Sequence, residues 1–290
     1  MAVTRTFRKW LLGKEIEYMI EHAGVTQTEA ANVIEVAQSK IANLVAGRGA
    51  ISVGDLERLA NALGFTDSGY QETLLDLRRD NNRRGYWSFG FHKAYHPEIR
   101  LRIGMEKSAE RIRSVEIEVM PGLLQCESYV RALYAGVPDV GGLTFEDRVR
   151  ARVARQHIYK QDDPPTLQFV LSESCLRRMI GDASVMREQL NHLIELTDRP
   201  NVMVQVLPFQ APQGRNSAIW DRFTLLRVKS PGAAGPLELA YLEGIGEVRY
   251  LDDRAALNIY DLAWGRVTAA ALSFEDSRAF IREVARGFGK

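Results

Sequence analysis

Residues Thr26 to Gly49 read TQTEAANVIEVAQSKIANLVAGRG, and their spacing leaves the backbone few choices. Thr26 stands three residues before Glu29, the reciprocal cap that opens a helix. In that cap the Thr hydroxyl accepts from the Glu29 amide, and the Glu29 carboxylate accepts from the Thr26 amide. Ala31 is small where a second helix must cross, and Val36 is apolar just after the turn. Ile41 and Leu44, three positions apart, give the second helix one side to bury. The stretch therefore predicts two short helices held at a steep angle.

The same grammar extends over the first quarter of the chain. Ser52-x-x-Asp55 repeats the cap before a stripe of Leu56, Leu59, Ala60 and Leu63, and Gly24, Gly47, Gly49 and Gly64 fall where helices should stop. Five helices fit, at about 7–23, 27–34, 38–46, 53–63 and 69–83. The outward side of the third then holds Gln38, Ser39, Lys40 and Asn43, while Gln27 and Thr28 lie in the first turn of the second. Gln, Asn and Lys carry the donors and acceptors that base edges in the major groove require. The formal net charge is only +1, so no whole-molecule field steers this chain to a polyanion. Locally the balance differs: from Ala37 to Gly54 there is no acid, while Lys40 and Arg48 are present. A hairpin with merely solvated glutamines is the competing reading; it accounts for the helices but not for the acid-free run.

This stretch resembles the lambda-repressor-like (XRE) helix-turn-helix family. Gln27 matches the glutamine opening the first motif helix, and Gln38 the one opening the recognition helix. Ala31, Val36, Ile41 and Leu44 match the packing positions. The resemblance implies an all-α, five-helix, lambda-repressor-like DNA-binding domain over 1–84. It also implies double-stranded DNA as partner, with Gln27, Thr28, Gln38, Ser39, Lys40, Asn43 and Arg48 at the interface. Two positions depart from the pattern: Glu35 stands where the turn usually has glycine, and Ala37 where a Ser or Thr cap is expected.

An aromatic-rich connector and a helix ending near Val115 are expected over 85–115, and an α+β domain with a small, mostly antiparallel sheet over 116–290. The runs LQFVL, VMVQVLPF, RFTLLRV, LELAYLE and VRYL read as strands. Thr144-x-x-Asp147 caps a helix to about Tyr159, Ser172 opens one that Gly181 stops, and another spans about 184–196. Ser273-x-x-Asp276 caps the last. Pro121-Gly122 turns the chain and sends Leu123 and Leu124 either into a core or onto a partner-facing surface with Tyr129. Trp220, Tyr241 and Trp264 either fill the core or line a ligand pocket.

Catalysis and cofactors are not expected. His92-x3-His96 has the spacing of two metal ligands, but Pro97 follows and no nearby Glu or Cys completes a set. Ser174, Cys175 and Cys126 lack the glycine-flanked turn that exposes a nucleophile, and Gly244-x-Gly246 reads as a hairpin turn. Two distant cysteines suit a reducing compartment, and no apolar run approaches the ~18 residues of a membrane span, so a cytoplasmic protein without membrane contact is expected.

The stretches VMPGLLQCESYVRALY, RARVARQHIY, PNVMVQVLPF and YLEGIGEVRYLDD resemble the domain of unknown function in actinobacterial WhiJ-type regulators. That resemblance implies a transcriptional regulator whose C-terminal domain answers to a small acidic partner protein, and because a lone helix-turn-helix buries little surface, a homodimer on an inverted repeat is the expected form. A ligand-sensing regulator and an antitoxin-like protein that autoregulates its operon are the alternatives.

Overall fold

A computed structural model describes residues 6–79, 94–95, 97–139, 143–211 and 221–289. The chain forms two compact units.

The first unit takes in the described residues of Met1–Gly85, Pro97–Met105 and Val228–Leu237. Its helices are α1 (Phe7–His22), α2 (Gln27–Val33), α3 (Gln38–Val45), α4 (Val53–Ala62) and α5 (Ser68–Arg78). Nearly all of α6 (Pro97–Glu106) joins them, so the unit holds more than the five helices expected. Side-chain caps start most of these helices. Thr6 accepts from Lys9 N–H, Ser52 from Asp55 N–H at 3.0 Å and Asp67 from Tyr70 N–H at 2.7 Å. Helix α5 ends at Arg78, short of the expected residue 83.

The core of this unit is Trp10, Ile16, Met19, Ile41, Leu56, Leu59 and Leu74, all buried. Gly13 lets α1 and α3 touch: a Cβ there would stand 2.4 Å from the Val45 carbonyl oxygen. Only a residue without a side chain permits that approach. Beside it, Glu15 is wholly buried yet fully satisfied. Its carboxylate accepts from Tyr70 Oη at 2.8 Å, Ser230 Oγ at 3.0 Å, Ala233 N–H at 2.9 Å and Ala234 N–H at 3.1 Å. Four donors replace the water a buried charge would lose.

The second unit is a six-stranded sheet with helices on both faces. Its strands are β1 (Ala109–Glu116), β2 (Thr166–Ser172), β3 (Val202–Leu207), β4 (Phe223–Val228), β5 (Leu237–Gly244) and β6 (Glu247–Leu251). They lie in the order β3-β2-β1-β4-β5-β6. Strands β1, β2 and β3 are parallel, and β5–β6 is an antiparallel hairpin. Side-chain pairs give the remaining directions. Ser114 meets Thr224 and Arg227 meets Glu110, while Arg227 also meets Glu238 and Arg222 donates to the Glu243 carbonyl. Both sets run in opposite senses, so β4 is antiparallel to β1 and to β5. The sheet is thus mixed. The parallel half corrects the mostly antiparallel expectation, and its cause is connection length. Helices α7 (Glu127–Tyr134) and α8 (Phe145–Ala154) join β1 to β2. Helices α9 (Glu173–Arg177) and α10 (Ala183–Leu196) join β2 to β3, and such crossovers return the chain in the same direction.

Three further readings change. The helix expected to end near Val115 is α6 only as far as Glu106; β1 follows, pairing with β2 and buried at Ile112 and Val115. Pairing with neighbours overrides the helix-like spacing of its charges. Helix α9 stops at Arg177, and Gly181 instead supplies a positive φ of 70° before Asp182 caps α10. Helix α11 (Arg254–Ala270), capped by Asp253, was not expected at all. It packs Val267, with Leu257, Tyr260 and Trp264, on one face of the sheet. The other face carries Ile112, Phe169, Leu171 and Val204 under α10 and the terminal helix α12 (Phe274–Gly287).

Candidate nucleic-acid interface

The reciprocal cap on α2 is present: Glu29 N–H donates to Thr26 Oγ1 at 3.2 Å, and Thr26 N–H to the Glu29 carboxylate at 2.7 Å. Those Thr26 bonds, the backbone one first, hold the Glu29 carboxyl below its ordinary pKa. The turn after α2 closes with Val36 N–H on the Ala31 carbonyl at 3.1 Å. Glu35 sits there at φ 55°, the one non-glycine residue with a positive φ among the described residues. A left-handed conformation costs such a residue about 1 kcal/mol relative to glycine, a strain the motif's steep crossing imposes.

Helix α3 starts at Ala37 without a side-chain cap, as its sequence implies. Ala31, Ile41 and Leu44 are buried, while Gln38, Ser39 and Asn43 are exposed along one side and Lys40 is half-buried beside them. Gln38 Nε2 donates to Gln27 Oε1 at 2.8 Å, joining the two helices across the turn. This leaves the Gln38 carbonyl and one amide hydrogen for a base edge, and it restricts the rotamers the side chain would otherwise lose on binding. Thr28 and Arg48 are exposed as well. The structure thus brings Gln27, Gln38, Ser39, Lys40 and Asn43 onto the α2–α3 pair, with Arg48 in the loop after α3. Asp55 limits the basic patch. Its carboxyl is held below its ordinary pKa by the Ser52 hydrogen bond first, then by Arg58, and Lys40 also contributes. The Lys40 charge therefore has an acid nearby that stays ionised.

Sequence reasoning missed Gly13, which sets how closely α1 meets α3, and Glu15, which ties α1 to Tyr70 and to Ser230, Ala233 and Ala234. Gly13 lies within a helical run and Glu15 among other charges, so neither has a local signal.

In the second unit most of the residues that suited either core or surface lie inside. Leu123, Leu124 and Tyr129 are buried, and so is Tyr241. The turn around Pro121 goes inward because its polar groups find partners there. Gln189 accepts from Cys126 N–H at 2.8 Å and donates to the Leu124 carbonyl at 2.8 Å, while Tyr159 Oη donates to the Leu123 carbonyl at 2.8 Å. Burial of the two leucines then carries no backbone penalty. Trp264, on α11, is half-buried, with the Arg113 guanidinium 5.6 Å from its ring centroid. Trp220, His92 and His96 lie outside the described residues. Cys126 and Cys175 are both buried, which pushes their thiols above the ordinary range. Among the described residues no group of His, Cys, Asp and Glu could hold a metal ion, and no helix is long and apolar enough to cross a membrane.

An α2–turn–α3 pair with a buried underside and an exposed amide side defines a helix-turn-helix unit, a class that suggests a DNA-binding regulator. Comparison with protein families agrees: a helix-turn-helix domain matches residues 11–70. A domain of unknown function, DUF5753, matches residues 99–283, more than half of the chain, and the protein belongs to that family. No match was found among curated proteins or among solved structures.

Proposed function

We infer that the protein is a sequence-specific DNA-binding transcriptional regulator. The observation that carries this is the 2.8 Å bond between Gln27 and Gln38 beside exposed Ser39 and Asn43, on a helix whose other side is core. Gln38, Ser39 and Asn43 reach base edges in the major groove. Lys40, Arg48 and the Gln27–Thr28 turn meet phosphates and set the register. A lone helix-turn-helix buries little surface, so the working form is a homodimer on an inverted repeat, with half-sites about one helical turn apart. The protein acts in the cytoplasm, without chemistry of its own. Control passes through the C-terminal domain by way of a small partner protein. Ile259 and Leu262, exposed on α11, support a protein-facing surface.

Fluorescence-anisotropy titration of the full chain against its own upstream DNA, over a salt series, tests this reading. Preference over random DNA, a steep loss of affinity with salt and relaxed sequence choice in Gln38→Ala are expected. Equal affinity for both DNAs at every salt concentration would sink it.

A further inference from the structure

We propose that β6 is the edge at which a second copy of this chain joins the sheet, antiparallel, with Val248 on the two-fold axis. It supplies the interface for the homodimer read above, and rests on that reading for its consequence on DNA but not for its geometry.

The two edges of the sheet differ. Along β3, Val206 N–H donates to Ser277 Oγ at 2.9 Å, Leu272 N–H donates to the Val206 carbonyl at 2.9 Å, and the Gln205 amide donates to the Leu272 carbonyl at 2.9 Å. At Val206 that edge is closed by its own chain. At the other end, among the described residues, no strand lies beyond β6. The hairpin loop is Ile245-Gly246, with Gly244 opposite Glu247. Residues flanking a two-residue loop exchange backbone bonds, and the pattern alternates from there. Glu247, Arg249 and Leu251 therefore bond to β5, while the N–H and C=O of Val248 point away from it.

The side chains select one partner and one register. With Val248 facing its own copy, Glu247 stands opposite the second copy's Arg249, and Arg249 opposite the second copy's Glu247. One symmetric arrangement thus makes two opposite-charge pairs at the short separation of cross-strand neighbours. Within one chain the same two side chains are only loosely paired, at 4.0 Å, and 70% and 58% exposed. Sliding the axis to Arg249 would set two guanidinium groups face to face, so the charges reject that register.

The test is the mass of the full-length protein by light scattering and sedimentation over a concentration series. The wild type should dimerise. Val248→Pro removes the outward N–H without touching the bonds to β5 and should weaken association about tenfold or more, with an unchanged circular-dichroism spectrum. Glu247→Arg should weaken it about tenfold, and Glu247→Arg with Arg249→Glu should restore it, a recovery that no folding defect mimics. A wild type that stays monomeric at every concentration overturns the proposal, and so does a dimer indifferent to all three variants. Specific DNA binding by a monomer would overturn the interface and leave the DNA reading standing. A β6-dependent dimer that ignores DNA would do the reverse.

Discussion

Helices α3 and α11 each bury one side and expose the other, and their exposed sides are chemically unlike. Helix α3 hides Ile41 and Leu44 and shows two amides and a hydroxyl. Helix α11, at 17 residues, hides only Val267 fully and shows Ile259 and Leu262, 67% and 55% exposed. Amides can exchange water for base edges at little cost, because a hydrated groove offers the same donors and acceptors. An aliphatic face gains nothing from a groove and gains about 25 cal/mol for each Å² a protein covers. The difference supports the proposal of different partners for the two helices, nucleic acid for α3 and protein for α11. In both, the underside governs stability and the outer side recognition.

The largest expected effect tests that separation on α3. Ile41→Ala should cost about 2–5 kcal/mol of stability, read as a lowered melting temperature, whereas Asn43→Ala two positions on should leave melting unchanged and weaken specific DNA binding. If both variants melted alike, the two sides of α3 would not be distinct. Next comes Gln38→Ala, for which discrimination at one base position should fall by about 1–3 kcal/mol, measured by anisotropy with a set of single-base operator variants. A uniform loss on all variants would demote Gln38 to a positioning group. Glu35→Gly should stabilise the fold by about 1 kcal/mol by relieving the positive φ, and the loss of an acid near the DNA should also raise affinity, most at low salt. No gain in melting temperature would show that the turn relaxes without help. The smallest effect is on α11: Ile259→Ser and Leu262→Ser should change stability by less than about 0.5 kcal/mol while reducing recovery of a co-purified partner protein. A large drop in melting temperature would instead place that face inside the folded protein.

The helix-turn-helix region was legible in the sequence because its determinants are local. A capping box spans four residues, a packing pair spans four, and the turn position that should be glycine is where Glu35 adopts a left-handed conformation. The bond between Gln27 and Gln38 crosses only eleven positions. The second unit was less legible for the opposite reason. Strand β1 has helix-like spacing of charges, and only β2 and β4 on either side make it a strand. Helix α11 carried a readable cap at Asp253 and a helical stripe of Leu257, Tyr260, Trp264 and Val267, but it followed a run of strands that drew the reading away from it. Leu123 and Leu124 suited core and surface equally until Gln189, more than sixty positions away, supplied the hydrogen bonds that make burial possible.

The sequence by itself determined where the first five helices begin, which side of α3 is apolar, and that Gln38, Ser39 and Asn43 share the other. Each follows from hydrogen bonds and contacts within one or two turns. Only the tertiary structure decided that β1 to β3 run parallel, that the Pro121 turn goes inward, that Glu15 is held by residues more than two hundred positions away, and that β6 is the last strand of the sheet among the described residues. These depend on which distant segments meet, and the pairing energy that selects them is shared between both partners rather than written in either one.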